Sequence, residues 1–131
     1  MAAWPFPFPP QEIGGNGTDR EKRACTGPAR RARLHFYRND TKDTVGKCRE
    51  ALERVAQVLD EMEPPPQHSR QDPKPLRFRR LRFFARNATH LALHADDLAV
   101  ETSWTRAEAQ SLLAVTCASV TQGIEILESG T

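Results

Sequence analysis

"TVGKCREALERVAQVLDEM", residues 44–62, carries the reading of the fold. Val45, Cys48, Leu52, Val55, Leu59 and Met62 advance by 3, 4, 3, 4 and 3. An α-helix turns once in about 3.6 residues, so these steps align all six on one apolar stripe. Asp40 or Thr41 can cap the start. "EPPP" stops the helix at Glu63, because proline lacks a backbone donor and the residue before it avoids the helical region. Gly46 weakens the first turn by about 1 kcal/mol relative to alanine. The spacing predicts a helix over about 41–63.

Beyond it lies "PPPQHSRQDPKP", a connector over 64–75 that is too long for a tight hairpin and reads as extended and exposed. "LRFRRLRFFARN", residues 76–87, then packs five arginines and three phenylalanines into twelve positions. Phe84, Ala88, Leu91, Ala95 and Leu98 advance by 4, 3, 4 and 3, and Leu81 extends the series backwards. The basic stretch therefore reads as the start of a second helix, about 76–101. "TRAE" follows, with Thr105 as N-cap and Glu108 three residues on, a capping box for a third helix over about 105–128. Leu113, Cys117, Val120, Ile124 and Leu127 form its seam, and Leu112, Val115 and Ile126 broaden the apolar face. The short link before it favours an antiparallel turn, with Trp104 covering the end of the core.

The expectation is an all-α, three-helix, up-down-up bundle with heptad-like seams, occupying residues 34–131. Residues 1–33, rich in Pro, Gly and charge, read as a disordered arm. Within it "WPFPFPP", residues 4–10, offers aromatic side chains on a stiff polyproline II backbone, suited to act as a short peptide ligand. "REKRACTGPARRAR", residues 20–33, separates two basic clusters by six residues. Arg20, Lys22, Arg23, Arg30, Arg31 and Arg33 thereby resemble a bipartite nuclear-import signal. The same residues also suit an arm that is merely solubilised or that contacts RNA.

Charge divides along the chain. Residues 1–87 hold 18 Lys and Arg against 11 Asp and Glu, and residues 88–131 hold one against six. Such a molecule suits an acidic partner at one end and a basic partner at the other, or two ends that complement each other. Cys25, Cys48 and Cys117 form an odd set without a C-x-x-C pair, which argues against a disulfide framework or a zinc site. "MAAWPFPFPP" has neither the basic nor the apolar region of a signal peptide. No run of apolar residues is long enough to span a bilayer. Asn-x-Thr occurs at Asn16, Asn39 and Asn87, which without a secretory route read as chance matches. The expected compartment is intracellular, nuclear or cytoplasmic, with the nucleus slightly favoured.

No catalytic signature is visible, so the chain reads as non-enzymatic and without a cofactor. No G-x-x-x-x-G-K, G-x-S-x-G or H-E-x-x-H motif occurs. His90, His94 and Asp97 share a helical face at metal-ligand spacing, but a fourth ligand has no source nearby, and no metal site is assigned. Cys48 and Cys117 fall on apolar seams, where cysteine behaves as a small hydrophobe. Cys25, in the basic arm, has cations nearby that favour its thiolate.

What remains is a surplus of apolar surface. Phe78, Phe83, Phe84, Leu91, Leu98, Leu112 and Ile126 are the candidate partner-binding residues, on a bundle whose own core is thin. The basic patch comprises Arg77, Arg79, Arg80, Arg82 and Arg86; within it Arg77 and Arg80 would pair with carboxylates of a protein partner, or with Asp60, Glu61 and Glu63. The expected function is a helical protein–protein interaction module, a small subunit or adaptor of a larger complex. The alternative is a nucleic-acid-associated protein that uses the arm and "LRFRRLR" together, with steeply salt-dependent binding.

Overall fold

In the computed structural model, which describes residues 19–90 and 103–129, four helices follow one another. They are α1 (Asp19–Tyr37), α2 (Thr41–Val58), α3 (Lys74–Thr89) and α4 (Arg106–Ser129), with no strand among the described residues. The described residues form an all-helical bundle, with four helices rather than three. Residues 19–33, expected to belong to a disordered arm, form most of α1.

α1 forms because it carries a seam of its own, built from small residues. Cys25, Ala29, Ala32 and Phe36 step by 4, 3 and 4, and all four are buried. The helix holds despite Pro28 in its interior, which removes the donor for the Ala24 carbonyl and costs about 3 kcal/mol in an isolated helix. Burial against two neighbours offsets that cost. At its end, Asn39 adopts φ 61°, its N–H donates to Phe36 O (3.0 Å), and the Asp40 N–H donates to His35 O (2.9 Å). This is a Schellman stop with asparagine in the left-handed position. Asp40 then begins α2 at once, its carboxylate accepting from the Asp43 N–H at 3.2 Å.

α2 buries Val45, Cys48, Leu52 and Val55 from the expected seam. It stops at Val58, short of Glu63. The cause lies before the prolines: Asp60 turns left-handed at φ 57°, and the Glu61 N–H reaches back to Ala56 O at 2.7 Å. A second Schellman stop thus frees Glu61 and Met62 from the helix. At the head of α4 the expected capping box is present, with Thr105 N–H to Glu108 Oε1 at 2.8 Å and Glu108 N–H to Thr105 Oγ1 at 3.1 Å.

Side-chain contacts fix the directions. Lys22 meets Glu128 at 3.4 Å, and Arg106 donates to Phe36 O at 3.0 Å, so α1 and α4 are antiparallel. Cys48 lies beside Thr116 and Val55 beside Gly123, so α2 and α4 run together. The start of α3 lies beside Ile126 and Leu81 beside Val115, so α1 and α3 point one way, α2 and α4 the other. α2 touches all three other helices, whereas α1 and α3 do not meet.

The core has two storeys shared by α1, α2 and α4. One holds Ala32, Phe36, Val45, Cys48, Ala109, Leu113 and Cys117, with Trp104 and Leu112 packed against it. The other holds Cys25, Ala29, Ala51, Val55, Val120 and Ile124. Gly123 lets α2 and α4 close up, since a Cβ there would sit 3.2 Å from Val55 Cγ1. Among the described residues no helix is long and apolar enough to cross a membrane.

Candidate interaction face

α3 is the helix whose sequence is hardest to place, with six cations and no acid over Lys74–Thr89. A helix entered through Pro73 and Pro75 starts without needing the donors prolines lack. Its orientation reverses the expectation. The residues turned inward are Arg80, Arg82, Ala85, Arg86 and Thr89. The expected seam faces out: Leu81 is 50% exposed, Phe84 62%, and Ala88 is exposed as well.

The inward arginines explain the reversal. Arg82 clasps the Glu61 carboxylate with two nitrogens, at 3.0 and 2.7 Å, and also donates to Gln122 of α4. Arg80 donates to the Asp72 carboxylate at 3.0 Å and to Gln67 O at 2.7 Å. Arg86 reaches Met62 O at 3.2 Å, and Arg79 reaches Glu63 O at 3.1 Å. Arg77 holds Asp72 O and Arg70 O at 2.9 and 2.7 Å. Each of the five guanidinium groups of the basic patch thus ties the 61–72 segment to α3. Charge-assisted bonds to carbonyls and carboxylates are the strong kind, and they order a proline-rich connector that has no core of its own. Asp72 is its second anchor. The Ser69 N–H at 3.1 Å and the Arg80 guanidinium, working against partial desolvation, hold its carboxyl below the usual range.

With arginines spent inward, apolar groups are left outside. Phe78, Leu81 and Phe84 line the outer face of α3, and Phe83, half-buried, stacks edge-on against Phe84 with centroids 5.8 Å apart. Arg86 covers the Phe83 ring at 5.4 Å. Between α3 and α4 runs a groove with two neighbouring hollows that share Phe78, Arg82 and Gln122 in their walls. One, of about 580 Å³, is bordered by Pro73, Pro75, Leu76, Phe78 and Ile126; the other, of about 280 Å³, by Leu81, Val115 and Ala118. Ile126 is 41% exposed at the rim.

The other sequence candidates fall elsewhere. Leu112 packs against the core storey of Phe36, Val45 and Leu113 rather than standing as spare surface. Leu91, Leu98, His94 and Asp97 lie outside the described residues, as does the remainder of the expected second helix and the segment 4–10. The six import candidates sit on one helix. Lys22 is almost wholly covered and paired with Glu128, and Arg31 faces Glu50 at 3.5 Å. A receptor reading all six in an extended peptide has to unwind α1 first.

All three cysteines are free and buried. Burial pushes the Cys48 thiol up to about 11, and pushes Cys25 to about 11 with help from Glu21. Cys117, desolvated and close to Cys48, rises to about 12. Cys25 is therefore a core residue held as a neutral thiol, contrary to the expectation of a favoured thiolate in a basic arm. His35, Asp40 and Asp43 bring ligand-type atoms within 4.8 Å at the α1–α2 turn. Asp40 is already committed there as the cap of α2.

Sequence reasoning missed the groove walls Leu76 and Ala118 and the arginine acceptors Asp72 and Gln122. The acids were the available signal: Lys74–Thr89 has none, so its cations must find partners in the flanking connector. Comparison of the chain with protein-family models, curated proteins and solved structures finds no match.

Proposed function

We propose that this protein is a non-enzymatic interaction module, a small helical subunit or adaptor, that docks another protein on the α3/α4 face. The observation that carries the reading is the outward stripe Phe78, Leu81 and Phe84 beside the groove bounded by Ile126. Large apolar side chains contiguous over two turns are costly to leave in water and are the usual anchors of a helix-packing interface. Lys74 and the arginines that bond only neutral carbonyls keep their positive charge around this stripe, which favours a partner with acidic flanks.

The nucleic-acid alternative has less support. It needs guanidinium groups presented to phosphate, and those of the basic patch donate to protein acceptors. Residence in the nucleus is kept as a proposal, resting on the basic composition of α1.

The test is affinity capture of the full chain and of a Leu81→Asp/Phe84→Asp variant, with nuclease treatment and a high-salt wash. A stoichiometric protein set that survives both treatments and disappears with the variant is the expected result. Loss of every partner under nuclease or salt overturns it in favour of nucleic acid.

A further inference from the structure

The apolar hollow at the foot of the α3/α4 groove is not filled by any described residue. We propose that Trp4, Phe6 and Phe8 of this chain's own "WPFPF" segment seat there in cis, making the N-terminal segment a built-in competitor for the docking face. This inference rests on the interaction reading above and adds an occupant to it.

Three observations support that occupant. The first is position. The Lys22–Glu128 ion pair brings the first turn of α1 beside the last turn of α4, at the same end of the bundle as Ile126, which borders the groove from the other side of α4. Asp19, the first described residue, therefore lies at the groove's end of the bundle, across α4 from the hollow. Trp4 precedes Asp19 by fifteen residues, ample at about 3.3 Å per extended residue to reach either hollow. Gly14, Gly15 and Gly17 lie in the span between and allow it to double back.

The second observation is chemical fit. The larger hollow, about 580 Å³, is of a size that encloses small ligands, and Leu76, Phe78, Ile126 and two prolines line it. Aromatic side chains bury much area with few rotatable bonds, and alternate prolines keep the backbone already extended, so little entropy is lost on docking. The third is an unmet donor. Arg79 lines this hollow, and its buried Nε–H has no acceptor among the described residues. A proline-alternating strand presents a carbonyl at every residue but a backbone N–H only at Trp4, Phe6 and Phe8, so it can supply the acceptor while Pro5 and Pro7 add no donor.

Two tryptophans occur in the chain, so Trp104→Phe leaves Trp4 as the sole indole reporter in the full-length protein. Acrylamide quenching of Trp4 is then compared with that of a synthetic peptide of residues 1–18. Docking in roughly two-thirds of molecules lowers the quenching constant about threefold, independently of protein concentration. Adding Leu81→Glu/Ile126→Glu to that protein should restore the peptide value. Ser111→Glu, on an exposed position away from the groove, should leave the protection intact. Circular dichroism checks that the groove variant melts as its parent does, and Ile126→Glu alone repeats the test should the pair melt early. Quenching equal to the free peptide overturns the proposal, as does protection that the groove variants leave unchanged. Protection that grows with concentration alongside a doubled mass also overturns it, by assigning the groove to a second copy's segment. An exposed Trp4, with partners still lost in Leu81→Asp/Phe84→Asp, removes this inference and leaves the interaction reading standing. No change in either experiment removes both.

Discussion

α2 and α3 carry apolar seams of the same period and use them in opposite ways. α2 turns Val45, Cys48, Leu52 and Val55 into the core and shows charge to water. α3 turns Arg80, Arg82 and Arg86 inward and shows Phe78, Leu81 and Phe84. Both are amphipathic, so periodicity gives the angular grouping of side chains without saying which group goes inside. That is decided by what lies opposite. α2 faces the small-residue seam of α1 and the apolar face of α4, where only burial can stabilise. α3 faces a connector that offers it backbone carbonyls and the carboxylates of Glu61 and Asp72, and six cations without internal partners are best satisfied there.

The sharpest way to break this comparison is Arg82→Ala. Arg82 and Glu61 are a largely buried pair, and removing one member leaves the other charge desolvated, a loss of about 3–5 kcal/mol by denaturant unfolding. Replacing both by methionine should restore most of that loss. If Arg82→Ala instead costs no more than a surface change, the clamp is not what orients α3. Next in size, Leu52→Ala in α2 should cost about 2–4 kcal/mol as a core truncation.

Titration gives an intermediate effect and separates the two regions by pH. Cys25, Cys48 and Cys117 have folded pKa values of about 11, 11 and 12 against an ordinary 9.0. The unfolded chain releases these protons first, so the stabilisation is complete below about pH 9 and is lost as pH rises toward the folded values. Thermal midpoints should fall above pH 9 and fall less in Cys48→Ala. Asp72 has the opposite sign: its lowered pKa gives stability present above about pH 4 and lost as pH falls further. Limited proteolysis in acid should therefore cut the 64–73 connector before the α1/α2/α4 core opens.

The smallest changes are also the cleanest contrast. Gly46 in α2 has nothing within 4 Å of a built Cβ, so Gly46→Ala should stabilise by about 0.5–1 kcal/mol. Leu81→Ala on the outer face of α3 should shift stability by no more than about 0.5 kcal/mol, though the same residue is central to the proposed docking.

α4 and the start of α2 were legible because their signals are local. A capping box joins Thr105 to Glu108 within one turn, and Asp40 caps through a neighbour three residues on. α1 was not legible. Gly27-Pro28 and six basic residues outweigh the Cys25–Ala29–Ala32–Phe36 seam when propensities alone are weighed. "RND" at 38–40 did hold a clue, since asparagine is a favoured left-handed stop and aspartate a favoured start, which together imply a helix ending there. The end of α2 was misjudged for the same kind of reason: the prolines are conspicuous, but the left-handed Asp60 acts first.

By itself, then, the sequence determined that this protein is helical, where two of its helices begin, and which side chains share each face, because caps and periodicity act over three or four residues. Tertiary structure alone decided that a proline-bearing basic segment becomes a core helix and that α3 buries its arginines. Those outcomes depend on groups brought together from 20 to 40 positions away, Glu61 and Gln122 around Arg82, and no local preference encodes which partner a side chain will meet.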